Sequence, residues 1–171
     1  MSLIRVPSIA FTTYIDVLPD QVYAILTSSK GWDTWFTYRT RIDPQAGGQI
    51  QFYWKDFGPY HLTLRANGIV LEAEPNRKLM FQWIVASVPT TVTIMLEELE
   101  GGTLVKLTEE GHTATDQDLA VLIDSAAGWG EALTRLKYYL EYGVTYGVVP
   151  HAVGAKPSLT DQRVFKRVVV V

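Results

Sequence analysis

Thr115 to Gly143 reads TDQDLAVLIDSAAGWGEALTRLKYYLEYG, and this stretch decides the architecture. Leu119, Leu122, Ile123, Ala126, Trp129, Leu133, Leu136 and Leu140 recur at the helical period and form one apolar stripe. Thr115 fits the N-cap. Asp116 and Asp118 follow in the first turn, where the positive end of the helix dipole favours carboxylates. Gly143 fits the stop. A helix of this span is about 40 Å long at 1.5 Å per residue, enough to cross a small domain. Gly128 and Gly130 flank Trp129 in its middle, and each should cost roughly 1 kcal/mol relative to alanine. Close approach of another element beside the indole is the expected compensation. A local bend is the alternative.

Upstream of the helix the pattern switches to period two. Phe11, Thr13, Ile15 and Val17 alternate with Thr12, Tyr14 and Asp16, which predicts a half-buried strand. Pro19 suits the first position of a short helix carrying Val22, Tyr23, Ile25 and Leu26. A second short helix or helical turn is expected from Ser28 to Phe36, with Trp32, Trp35 and Phe36. Alternating runs then follow: Ile50, Phe52 and Trp54; Leu79, Phe81, Trp83 and Val85; Val92, Ile94 and Leu96; Val105 and Leu107. Turn residues separate them at Gly47-Gly48, Phe57-Gly58-Pro59, Glu74-Pro75-Asn76 and Glu100-Gly101-Gly102. One face is apolar and the other polar, as in an antiparallel sheet covered on one side, and the long helix is the expected cover.

Between Tyr60 and Glu74 the apolar parity flips, from Leu62, Leu64 and Ala66 to Ile69, Leu71 and Ala73. A β-bulge at Asn67-Gly68 would keep all six on one face; a hairpin turn at Asn-Gly is the alternative. The bulge is preferred.

At 171 residues the chain fits one domain with a sizeable core. A net charge of −3, with no Lys/Arg cluster, gives no footprint for nucleic acid. With no cysteine, disulfides, thiolate nucleophiles and Cys-ligated metals are excluded. The N-terminus carries no readable export signal, and no apolar run approaches the roughly 18 residues of a membrane span, so a cytoplasmic location is expected.

The order of elements, with Pro19-Asp20-Gln21-Val22-Tyr23, Trp32…Trp35-Phe36, Gly47-Gly48-Gln49-Ile50, Gly68 to Pro75, Leu79 to Trp83, Gly102-Thr103 and Gly128 to Leu133, resembles the helix-grip fold of the START-related superfamily (SRPBCC). More narrowly it is similar to the family named for the C-terminal domain of the activator of heat-shock-protein ATPase. The matching residues run from Phe11 to Gly143, and the resemblance implies an α+β domain, bounded here at residues 1–147: an antiparallel sheet of about seven strands curved around a long C-terminal helix, with two short helices after the first strand. It also implies one long strand through Gly68, which favours the bulge.

By the same resemblance a small apolar or aromatic ligand is expected in a cavity between sheet and helix, with no cofactor and no metal. The implied lining is Phe52, Trp54, Leu64, Phe81, Trp83, Ile94, Trp129, Leu133 and Leu136. An enzyme using the same cavity (cyclase, dehydratase or hydrolase type) and a co-chaperone or other protein-interaction module are the alternatives. Catalytic groups are scarce. His61, His112 and His151 share no zinc-site spacing, His61 falls on the solvent face, and adjacent Glu109 and Glu110 point to opposite faces and cannot chelate together. Arg39, Arg41 and Asp43 are expected to decorate an edge strand. The polar groups expected inward are Thr13 and the hydroxyl of Tyr138 or Tyr139. Without a titratable group in reach of a substrate, the balance leans away from an enzyme.

Residues 148–171 form an irregular tail ending in four valines. Left exposed, these would be a β-prone aggregation hazard, so the tail is expected to dock on a sheet edge or on a second subunit in a homodimer.

Overall fold

In the computed structural model, which describes residues 5–57 and 60–145, strand β1 (Ile9–Ile15) is followed by helices α1 (Pro19–Leu26) and α2 (Ser29–Trp35). Strands β2 (Arg41–Ile42), β3 (Gln49–Phe57), β4 (Leu62–Glu74), β5 (Lys78–Trp83), β6 (Thr90–Leu99) and β7 (Gly102–Glu110) come next, and α3 (Asp116–Tyr142) closes the order. The strands form one antiparallel seven-stranded sheet in the order β1-β7-β6-β5-β4-β3-β2. Each alternating run lands with its apolar set inward. Ile50, Phe52 and Trp54, then Leu79, Phe81 and Trp83, then Val92, Ile94 and Leu96 are all buried. The expected tail lies outside the described residues.

The ends of α3 form as the residue types dictate. Thr115 Oγ1 accepts the Asp118 amide at 3.2 Å, and Gly143 closes the helix in the left-handed conformation at φ +68°. Asp118 does more than complement the dipole. Its carboxylate takes the Ser87 amide (3.0 Å) and hydroxyl (2.7 Å) together with the Thr113 hydroxyl, so it fastens the β5–β6 loop to the start of α3. At the far end Glu141 accepts the Asp16 amide at 2.9 Å, and Lys137 Nζ donates to the Tyr14 carbonyl, fixing α3 to the end of β1.

Three local expectations are corrected. The stripe on α3 is unevenly covered: Trp129, Leu133 and Leu136 are buried, whereas Ile123 is 67% exposed. The mid-helix glycines are not there for close approach. A Cβ on Gly128 would meet nothing within 4 Å, and one on Gly130 would sit at ordinary contact, 3.6 Å, from the Phe11 ring. The bulge in β4 exists, but between Val70 and Glu72 rather than at Asn67-Gly68. The buried even positions therefore continue through Val70, and Ile69 (51% exposed) and Leu71 face outward. The glycine at Gly68 has a different reason, since a Cβ there would collide with the Gln82 carbonyl of β5.

Candidate functional site

The inner end of the site is built on β7. Its inward parity, Thr103, Val105 and Leu107, continues to Glu109, which is completely buried. A carboxylate in such a place is costly unless hydrogen-bonded, and three donors meet it. Oε1 accepts the Trp83 indole N–H at 3.0 Å and the Thr90 hydroxyl at 2.6 Å; Oε2 accepts the Trp129 indole N–H at 2.8 Å. Glu109 thus ties β5, β6 and α3 together through one side chain. The two indoles lie with centroids 5.4 Å apart. Buried His112 brings Nε2 to 3.8 Å of Glu109 Oε1, and neither ring nitrogen has a hydrogen-bond partner among the described residues. Among the described residues no group of three or more His, Asp or Glu side chains converges as a metal site.

The outer end is aromatic. Asp56 takes φ +54° where the β3–β4 register shifts between Trp54 and Phe57, so the chain gains a residue and Phe57 returns to the inner face. Phe36, at the end of α2, stacks on Trp35 (centroids 5.3 Å, planes 14° apart) and meets Trp54 edge-on at 5.7 Å and Phe57 at 6.0 Å. The Arg135 guanidinium of α3 lies over both Phe36 (5.7 Å) and Phe57 (5.9 Å). Trp32 satisfies its indole on the Leu26 carbonyl at 2.7 Å. The indole N–H groups of Trp35 and Trp54 are buried with no partner among the described residues. An unpaired buried donor costs about 1–3 kcal/mol, so two of them around one phenyl ring call for an explanation.

Of the nine residues expected to line a cavity, Phe52, Trp54, Phe81, Trp83, Ile94, Trp129, Leu133 and Leu136 are buried in one cluster. Their rings touch: Phe52 lies 5.7 Å from Trp54, 5.7 Å from Phe81 and 5.8 Å from Trp83. Aromatic side chains of β3 and β5 are thus in contact with one another here. Leu64 is the departure. It lies directly across from Trp54, on the same face, but at the rim, and is 39% exposed beside exposed Leu62. Tyr138, expected inward, is exposed and lies tilted against Tyr142, ring centroids 5.8 Å apart. Glu109 was legible from the parity of Val105 and Leu107, but a glutamate ending an apolar row reads as a solvent-facing strand end. His112 and Arg135 gave no pattern of their own.

The family model of the activator of Hsp90 ATPase homolog 1-like proteins matches residues 16–141, close to three quarters of the chain. The chain belongs to this family. Solved structures of similar fold include the Aha1 dimer from Colwellia psychrerythraea, at 24% identity and TM-score 0.66, covering 81% of this chain and 98% of that one. Protein SSP2350 from Staphylococcus saprophyticus is 27% identical with the same TM-score, covering 81% and 95%. DynU16, described as a putative protein in the dynemicin biosynthetic locus, is 17% identical with TM-score 0.69, covering 82% of this chain and 49% of that one. No curated protein matches. The SRPBCC helix-grip architecture expected from the sequence is thus what the family and its solved relatives have. In this member no helix among the described residues is long and apolar enough to cross a membrane.

Proposed function

We propose that this family member binds a small aromatic or apolar molecule bearing hydrogen-bond acceptors, seated at the aromatic mouth between α2, β3 and α3. The pair of unpartnered indole donors on Trp35 and Trp54, on either side of Phe36, carries this proposal. A flat ligand with a carbonyl, quinone or phenolate oxygen would satisfy one or both of them, stack on the aromatic surface that Phe36 covers, and meet Arg135, itself paired with Glu131, at its edge. Entry requires Phe36 to swing aside. It ends an α2 of seven residues, and Leu62 and Leu64 at the rim already expose apolar surface.

Ligand binding is favoured over catalysis because both oxygens of Glu109 are held by donors from three elements, which suits a structural tie better than a proton-transfer group. Protein interaction, which the ATPase-activator wording of the family's description suggests, is the reading that would gain if no small molecule bound. The homodimer expected from the tail belongs to the same proposal, and light scattering of the full chain tests it.

The test is titration of the native protein with an apolar fluorophore, followed by competition. Stoichiometric binding, displaced by fatty acids or by polyketide-like aromatics, is the expected result. Absence of saturable binding would remove the proposal.

A further inference from the structure

The opposite face of the same sheet carries a second cluster that the aromatic mouth does not use. On the outer side of β3, Gln51 lies across from Arg41 of β2, and Tyr53 lies across from Arg65 of β4. The Tyr38 amide donates to the Tyr53 carbonyl at 2.8 Å and brings Arg39 alongside. Arg39, Arg41, Gln51, Phe52, Tyr53 and Arg65 enclose a surface depression of about 340 Å³. The β3–β4 pairing brings Arg65 to the same hollow as Arg39 and Arg41, which are near each other in sequence but distant from Arg65.

Aromatic rings support the cations here. Arg39 lies 5.2 Å and Lys55 5.6 Å from the Tyr38 ring, and Arg65 lies 5.9 Å from Tyr53. The turn bearing Arg39 is fixed from below. Asp33 Oδ1 accepts the Thr37 hydroxyl and the Thr40 amide, each at 2.8 Å. Among the described residues no carboxylate forms an ion pair with Arg39, Arg41, Arg65 or Lys55, whereas Arg77, Lys78 and Lys106 are each paired with glutamate. Four unpaired cations gathered in one place, on a chain of net charge −3, are an electrostatic feature without an internal purpose.

We infer that this hollow is a binding site for a small phosphorylated molecule. Guanidinium forks match phosphate oxygens in bidentate geometry, and three forks around one hollow suit a group with two or more negative charges. The volume admits a diphosphate or a sugar phosphate. Gln51 and the Tyr53 hydroxyl offer uncharged hydrogen bonds at the same face.

Calorimetric titration of the full chain with pyrophosphate at physiological salt tests the site. One saturable site per chain is expected, weakened about tenfold or more by each of Arg39→Gln, Arg41→Gln and Arg65→Gln, as loss of a charge-assisted pair requires. The three side chains are exposed, so these variants should fold as the parent does. Arg77→Gln, on the exposed Arg77 paired with Glu74, should leave affinity unchanged. Absence of saturable binding overturns the proposal. So does equal weakening by Arg77→Gln, which would indicate general charge attraction. Binding of anionic lipid vesicles without binding of pyrophosphate would also overturn it, in favour of a membrane surface.

Discussion

Glu109 Oε2 accepts the indole N–H of Trp129 at 2.8 Å, and this bond joins the centre of the long helix to the last strand of the sheet. Because Glu109 also holds Trp83 and Thr90, the helix is positioned by hydrogen-bond geometry as well as by apolar packing. The relationship gives the Gly-Trp-Gly segment its structural meaning: the tryptophan is a donor aimed at a buried carboxylate.

Glu109→Gln should therefore destabilise the protein by about 2–3 kcal/mol. An amide presents one acceptor and one donor, so at least one of the three donors now faces an N–H. Urea unfolding measures the loss. A change below about 0.5 kcal/mol would mean that the three hydrogen bonds contribute nothing net.

Trp129→Ala should cost about 3–5 kcal/mol as a large-to-small change in a packed core, and Trp129→Phe distinctly less, because the ring body stays. In a double-mutant cycle, Trp129→Phe and Glu109→Gln should be non-additive, since each removes the same bond. A loss below about 1 kcal/mol for Trp129→Ala would show the ring bordered by empty space.

Gly128→Ala should stabilise by up to about 1 kcal/mol, because a Cβ there meets nothing and alanine is the better helix former. Gly130→Ala should also stabilise, its Cβ resting on Phe11 at ordinary contact distance. Thermal unfolding decides both. Destabilisation at Gly128 would reveal a conformational role for that glycine.

The carboxyl of Asp118 is held well below its ordinary range, first by the Thr113 hydroxyl and then by the Ser87 amide and hydroxyl. A carboxylate with a depressed folded pKa adds stability that is fully present above the unfolded value, near 3.8, and is lost as pH falls toward the folded value. Stability should therefore drop more steeply below pH 4 in the parent than in Asp118→Asn, and above pH 5 the variant should be the less stable of the two. Parallel pH profiles would contradict this role for Asp118.

The fold was legible in the chain because strands and helices differ in period, and the strands alternate except where β3 and β4 carry bulges. The bulge was legible as a parity flip, yet its position was not, since Gly68 marks a close strand approach and the extra residue sits beyond Val70. Legibility of the site was poorer for a physical reason. Core and lining residues are the same apolar types, so Phe52 and Trp83 gave no sign of whether they surround space or fill it. The hydrogen-bond partners of Glu109 come from strands and a helix up to 26 residues away, a distance no local pattern spans. Arg39 and Arg41 read as decoration of an edge strand, and nothing in the sequence joined Arg65 to them until strand pairing did.

The most direct measurement of the central claim is tryptophan-fluorescence titration of the parent, Trp35→Phe and Trp54→Phe with a hydroxylated anthraquinone. One-to-one binding by the parent is predicted, with affinity reduced about five- to tenfold in at least one of the two variants, the worth of one indole hydrogen bond to the ligand. No saturable binding by the parent, or equal affinity in all three proteins, would contradict a ligand seated on these two indoles.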